Sequence, residues 1–285
     1  MGLIDLILNF TGLLFWLNWR SGRFDPLVRT SVSSLAGTLR PAEKRKFRGW
    51  PSLAGLAGLL VVRAFLYWQL GSPAMWNPKL HLYFVLLAFR CDDFLSALVF
   101  SLLSFLRVFI VFYFWLVALC LADHGFSDTD PVQRLLRLHL GRLARWNRFV
   151  QLAIIPLAAL MLWVALNPLL ARVGVLSPAR SVAIILEQGV LVSLGLILSL
   201  KYLFPAFLFL HFISSYVFLG NNPVWEFVSR TARSLLSPLR RLPLQIGRLD
   251  LAPLVGLVLL LVLLEILPRA ILAWLTARKL ACWPQ

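Results

Sequence analysis

Acidic residues are scarce in this chain: 12 Asp and Glu stand against 28 Lys and Arg in 285 residues. Charged residues of either sign make up only 14%, well below the ~25% of an ordinary soluble domain. With 60% hydrophobic residues and a mean hydropathy of +0.82, that deficit excludes a soluble domain, a disordered tail and a coiled coil. What is left is a polytopic membrane protein. Cysteine is equally sparse. Cys91, Cys120 and Cys282 are odd in number and form no CxxC pair, so neither a disulfide framework nor a redox motif follows.

Four histidines, His81, His124, His139 and His211, show no i, i+3 or i+4 metal pair, and only His211 lies inside a long apolar run. That argues against haem held between two spans and against a metal site, and no cofactor is expected. The sequence also has no Walker loop, no GxGxxG, no Gly-x-Ser-x-Gly and no paired carboxylate within an apolar run. No catalytic residue can be named, and the chain is expected not to be an enzyme. Met1 to Trp19 lacks a basic n-region and a small-residue cleavage site and carries Asp5 instead, so it reads as a retained, short first span.

What is present is apolar sequence of membrane length. About 20 apolar residues cross a hydrocarbon layer roughly 30 Å thick. That ruler picks out about six spans, near 3–19, 51–70, 94–122, 149–171, 190–219 and 251–275. Asn9 and Asn18 interrupt the first, Arg107 lies in the third, and Lys201 and Pro205 in the fifth. Two shorter pieces, 80–90 and 181–189, read as interfacial lead-ins. Eighteen of the 28 cations fall in residues 20–48, 134–148 and 230–248, the loops after the first, third and fifth spans. The positive-inside rule places those loops in the cytoplasm and both termini outside it. The same concentration points to anionic lipid headgroups as partners rather than nucleic acid.

The basic loops recur because the chain reads as three parallel two-span repeats, over 1–75, 76–180 and 181–285. Each has a span, an Asp-Pro or Asn-Pro turn, a basic amphipathic segment and a second span. The turns are Asp25-Pro26, Asp130-Pro131 and Asn222-Pro223. After the second turn, Arg134, Arg137, Arg145 and Arg148 share one face, with Leu136, Leu140, Leu143 and Val150 on another. After the third, Val224, Phe227, Val228, Leu235 and Leu239 oppose Arg230, Arg233 and Arg240. The spacing predicts short interfacial helices, the turn proline at the first helical position and Asp or Asn as the cap. Arginine is expected to face phosphate, and Leu and Val the acyl chains. The fold class is thus all-α and membrane-spanning, with interfacial amphipathic helices.

Residues 216–264 add a more specific pattern: Asn222-Pro223, Pro238-Leu239-Arg240-Arg241, Pro243, Gly247 and Asp250-Leu251-Ala252-Pro253. This order resembles the YggT family, also called YlmG, of bacterial and plastid membrane proteins, with Ala252 where Ser is usual. The resemblance implies an integral membrane protein, in bacteria of the inner membrane, linked to osmotic tolerance. In plastid relatives it implies a link to haem attachment on the b-type cytochrome and to thylakoid or nucleoid organisation. It supplies no catalytic residue. The expected function is therefore a membrane scaffold, accessory subunit or assembly protein acting with other integral membrane proteins. The alternative is a small transporter or channel linked to osmotic stress.

Candidate binding residues for lipid or partner are Arg134, Arg137, Arg145, Arg230, Arg233, Arg240 and Arg241. Asp250 beside Arg240, Arg241 and Arg248 is expected to cap the sixth span and bond the Arg pair, or else to share in partner binding. Pro223, Pro238, Pro243, Gly247, Asp250 and Pro253 are the structural motif. The intramembrane charges Arg63, Arg107, Lys201 and Glu265 each carry an insertion cost of at least ~2.5 kcal/mol at mid-bilayer. Arg107 and Lys201 either line a path or sit near the outer interface, and Arg63 pairing with Glu265 is one way to offset two costs. Ala54, Gly55, Ala57 and Gly58 permit close helix contact, within the chain or with another membrane protein.

Overall fold

The computed structural model describes residues 2–21, 50–71, 77–90, 93–122, 131–141, 143, 146–176, 181–216, 222–237, 245–246, 249–250 and 252–277. Nearly all of them are helical. The helices are α1 (Gly2–Ser21), α2 (Trp50–Gly71), α3 (Phe94–Ala122), α4 (Pro131–Leu140), α5 (Arg148–Arg172), α6 (Val182–Leu198), α7 (Leu200–Tyr216), α8 (Pro223–Leu235) and α9 (Ala252–Ala277). Among the described residues, five segments are long and apolar enough to cross a membrane: α1, α2, α3, α5, and α6 with α7 taken together as Val182–Ser215. The 26-residue α9 coincides with the sixth apolar run of the sequence.

The chain divides into two compact units. The first comprises Met1–Leu80 and Ala88–Phe109, the second His81–Leu87 and Ile110–Gln285. In the first unit α1 runs antiparallel to α2, since Asn18 bonds Ser52 while Asp5 bonds Tyr67. It runs parallel to the start of α3, Asn9 meeting Ser104 and Trp16 meeting Phe109. Close approach is permitted by Gly12, where a Cβ would come within 2.9 Å of the Phe105 ring. Gly55 faces the Phe15 ring, but Ala54, Ala57 and Gly58 point outward. Only one residue of that small-residue run therefore serves packing within the unit.

In the second unit α5 and α6 form an antiparallel hairpin. Gly189 lies against Leu160 and Trp163, and the Ser193 hydroxyl donates to the Pro156 carbonyl at 2.8 Å. The sequence ends α5 locally: Val173, Gly174 in the left-handed region at φ 75° and Val175 close a Schellman turn onto Leu169, Ala171 and Leu170. Ser181 opens α6 by accepting a hydrogen bond from the Ala183 amide. Residues 181–189 are thus not an interfacial lead-in but the first turns of the fifth span. Gln188 is accommodated there by facing the Asn167 side chain. Ser199 marks a single-residue break before α7. Its hydroxyl donates to Leu196 O at 2.6 Å and accepts from the Trp115 indole at 3.0 Å.

The other lead-in, 80–90, is also corrected. Residues Lys79–Leu82 (β1) and Val85–Ala88 (β2) pair as a two-stranded hairpin. Leu80, Val85 and Leu87 are buried and Lys79, His81 and Ala88 exposed, an alternation with the period of a strand. Asp93 then starts α3, its carboxylate accepting from the Leu95 amide. A second short hairpin, Gln245–Ile246 (β3) with Leu249–Asp250 (β4), precedes α9.

Candidate functional site

The most polar place in any described span is built around Arg63, on the inward face of α2 and only 1% exposed. Its Nη1 donates to Asn9 Oδ1 at 2.7 Å. Its Nη2 donates to Asp5 Oδ1 and to Ser104 Oγ, both at 2.8 Å. Asn9 completes the ring by donating to Ser104 Oγ at 3.0 Å. The Tyr67 hydroxyl donates to the same carboxylate oxygen of Asp5. The guanidinium lies 5.4 Å from the Tyr67 ring centroid and 5.5 Å from that of Phe100. Arg63 Nε is buried with no hydrogen-bond partner among the described residues. Periodicity brings these groups together. Asp5 with Asn9, and Arg63 with Tyr67, are i, i+4 pairs on single helix faces, while α3 offers Phe100 and Ser104 at the same spacing.

The arrangement solves the problem of an arginine in a span. Leaving it unpaired costs several kcal/mol, and a carboxylate with two neutral acceptors turns it into a neutral, hydrogen-bonded cluster. The expected pairing with Glu265 is not what forms: Arg63 bonds Asp5, and Glu265 bonds Arg269 at 2.9 Å, one helical turn away on α9. Proximity along a helix gave Glu265 a partner without any tertiary contact, and Asp5 reaches Arg63 because α1 and α2 are antiparallel neighbours.

Arg107 and Lys201 do not share a setting. Arg107 is exposed on α3. Lys201 is half-buried, its ammonium 5.0 Å from the ring centroids of both Tyr83 and Tyr202. Tyr83 sits at the tip of the β1–β2 hairpin with φ 65°, a left-handed conformation unusual for a bulky residue. Gly195 is what lets it seat, since a Cβ there would come within 2.7 Å of the Tyr83 Cβ.

The amphipathic helices form, but their apolar faces turn into the protein instead of towards acyl chains. Leu136 of α4 and Phe227 of α8 join Ala118, Leu119 and Leu203 in one buried cluster. Ala232 and Leu236 pack with Leu208 in another. The neighbouring helices α3 and α7 supply the apolar surface that bilayer would otherwise have to supply. Val224, on the predicted apolar face, is exposed. Pro223 occupies the first turn of α8, and the Asn222 side chain caps it by accepting from the Val224 amide at 3.1 Å. Arg230 lies 3.7 Å from Glu226, and the exposed Arg233 donates through Nε to the Ser229 carbonyl. Arg134 and Arg137 lie on α4; nothing beyond that placement is described for their side chains.

Arg145, Pro238, Arg240, Arg241, Pro243, Gly247 and Arg248 lie outside the described residues, as do the turns Asp25-Pro26 and Asp130. Asp250 is the last residue of β4, its backbone in register with Gln245, and Pro253 stands in the first turn of α9. Sequence reasoning missed Asp5, Asn9, Tyr67 and Ser104 as a set, and Tyr83 and Tyr202 around Lys201. The usable signal was the i, i+4 spacing of polar residues on one face of an otherwise apolar span.

No curated protein and no solved structure matches the chain. The model of the CCB3/YggT family matches residues 190–273, which run from α6 through the Lys201 region, α7 and α8 into α9. This protein is therefore a helical membrane protein whose residues 190–273 match the model of the CCB3/YggT family.

Proposed function

We propose that this protein is a non-enzymatic scaffold, accessory subunit or assembly protein of a larger membrane complex, sited in a bacterial inner membrane. The observation that carries this reading is that Arg63, Lys201 and Glu265 are each engaged by side chains of their own unit. Charges held this way organise helices and leave little to line an ion path. The match of residues 190–273 to the CCB3/YggT family supports a role within the membrane.

Two partner classes follow. Anionic headgroups suit the polar face of α8, where Arg233 is exposed and Arg230 only half-buried while the apolar face is buried in protein. Other integral membrane proteins suit the apolar outer faces of the spans. The basic loops are placed in the cytoplasm and both termini outside it, by charge asymmetry. The three-repeat organisation is supported for its second and third copies by a shared order: a span, a short helix opened by Pro131 or Pro223, and another span.

The test is extraction of the tagged protein in mild detergent, followed by identification of what co-purifies in stoichiometric amount. A defined complex is expected. A monomer or homo-oligomer without partners would overturn the scaffold reading, and anion flux lost in Arg107 or Lys201 variants would favour the small transporter or channel instead.

A further inference from the structure

We propose that α1 is a conditional span, held across the bilayer by Arg63 and released from it when that contact is absent. The helix has two unlike faces. Leu3, Ile4, Leu6, Ile7, Phe10 and Leu14 are exposed and wholly apolar, a surface made for lipid. The opposite face carries Asp5 and Asn9, Asp5 bonded to Arg63 and Tyr67 and Asn9 to Arg63 and Ser104, while the exposed Asn18 near the end of the helix bonds Ser52. Thr11 satisfies itself on the Ile7 carbonyl.

The balance without those partners is unfavourable. Over 18 residues α1 reaches a hydropathy of 1.3, against 1.6 for α2 and 2.1 to 2.4 for the other candidate spans. A span that marginal cannot carry an unpaired carboxylate and two unpaired amides into hydrocarbon. One residue, Arg63, satisfies the only carboxylate of α1 and one of its amides, and it contributes nothing to the lipid-facing surface. It therefore acts on α1 as a positioning residue. The contact is also asymmetric. If Asp5 is lost, Arg63 still has Asn9 and Ser104 as acceptors, and α1 has lost its one carboxylate. If Arg63 is lost, Asp5 keeps a single neutral donor, Tyr67.

That asymmetry separates conditional insertion from general destabilisation. The test uses the full-length protein in native membrane vesicles, with Cys91, Cys120 and Cys282 replaced by Ser and a reporter Leu14→Cys on the lipid face of α1. Labelling is with a membrane-impermeant maleimide applied from either side. In the parent the reporter is protected, and Arg63→Leu raises labelling about tenfold as α1 leaves the hydrocarbon. Asp5→Leu leaves it protected, and so does the double substitution Asp5→Leu with Arg63→Leu, because in both variants α1 has no carboxylate to bury and its remaining charge, Arg20, stands in its last turn. Protection persisting in Arg63→Leu would overturn the proposal. So would equal labelling of the two single variants, the signature of simple pair breakage. Should Arg63→Leu fail to accumulate, the double variant decides: accumulation with a protected reporter supports the proposal, and its failure to accumulate overturns it.

Discussion

The α1–α2–α3 unit and the α5–α6 hairpin both bring apolar helices together, by opposite means. In the first, a charge on one helix is answered by polar groups on two others, and Arg63 touches Asp5, Asn9 and Ser104 at 2.7 to 2.8 Å. In the second, no ionised side chain links the helices among the described residues. A glycine, a buried tryptophan, one hydroxyl-to-carbonyl bond and a long amide bond from Asn167 to Gln188 do the work. In lipid there is no hydrophobic force between helices, so packing and hydrogen bonds are what remain. The charged solution specifies one register, because an Arg displaced by a turn faces hydrocarbon. The packed solution tolerates small shifts, because each contact contributes little.

The sharpest way to break the comparison is to remove the charge. Arg63→Met deprives Asp5 of its cation and is expected to lower stability by about 3 to 5 kcal/mol. Tryptophan fluorescence during thermal unfolding in mild detergent reads this, since Trp16 and Trp19 stack on each other beside Phe109. A loss under about 1 kcal/mol would mean that the cluster is an incidental surface pair.

Next come the close approaches. Gly12→Leu and Gly189→Leu each force a side chain into occupied space, against Phe105 in one region and against Leu160 and Trp163 in the other. Each is expected to cost about 1 to 3 kcal/mol. What distinguishes them is coupling. Lifting α1 at Gly12 also draws Asn9 from Ser104, so Gly12→Leu combined with Arg63→Met should lose less than the two single losses added. Gly189 shares no partner with Arg63, and there the losses should add within about 0.5 kcal/mol. Additivity in both double variants would show that the charged cluster and the α1 packing are not one cooperative unit.

A smaller effect is expected at α8, where a local signal rather than tertiary contact sets the structure. Asn222→Ala removes the acceptor of the Val224 amide and should cost about 1 kcal/mol, while Asn222→Asp should retain most of it. Amide exchange in the first turn of α8 checks both.

How much of this was legible beforehand follows the same divide between local and tertiary causes. The spans, the proline at the start of α8, its Asn222 cap and the Asp93 cap are decided by residues within one turn of each other, and sequence carries them directly. The amphipathic period of α4 and α8 was equally plain, but not what would cover the apolar face. Leu136 and Phe227 meet Ala118 and Leu203 only because α3 and α7 happen to be near. The partner of Arg63 was illegible for a different reason. Asp5 and Asn9 count against α1 as a span on any hydropathy scale, yet together they mark the face that binds its neighbours. The β1–β2 hairpin was missed because its alternation is only four residues per strand, too short to outvote an apolar average.

The cleanest comparison makes one chemical change in both regions, and its Ser193 arm is the smallest effect expected. Ser193→Ala deletes a hydroxyl that donates to the Pro156 carbonyl at 2.8 Å. That carbonyl can still accept from the backbone of its own helix, so little is left unsatisfied, and a loss of about 0.6 kcal/mol is expected. Ser104→Ala deletes a hydroxyl that accepts from both Arg63 and Asn9. The two donors lose a shared acceptor in a site that admits little water, so about 1.5 to 3 kcal/mol is expected. If the two substitutions cost the same, the charged cluster offers its hydroxyl no more than an ordinary interhelical bond does, and register specification by Arg63 loses its physical basis.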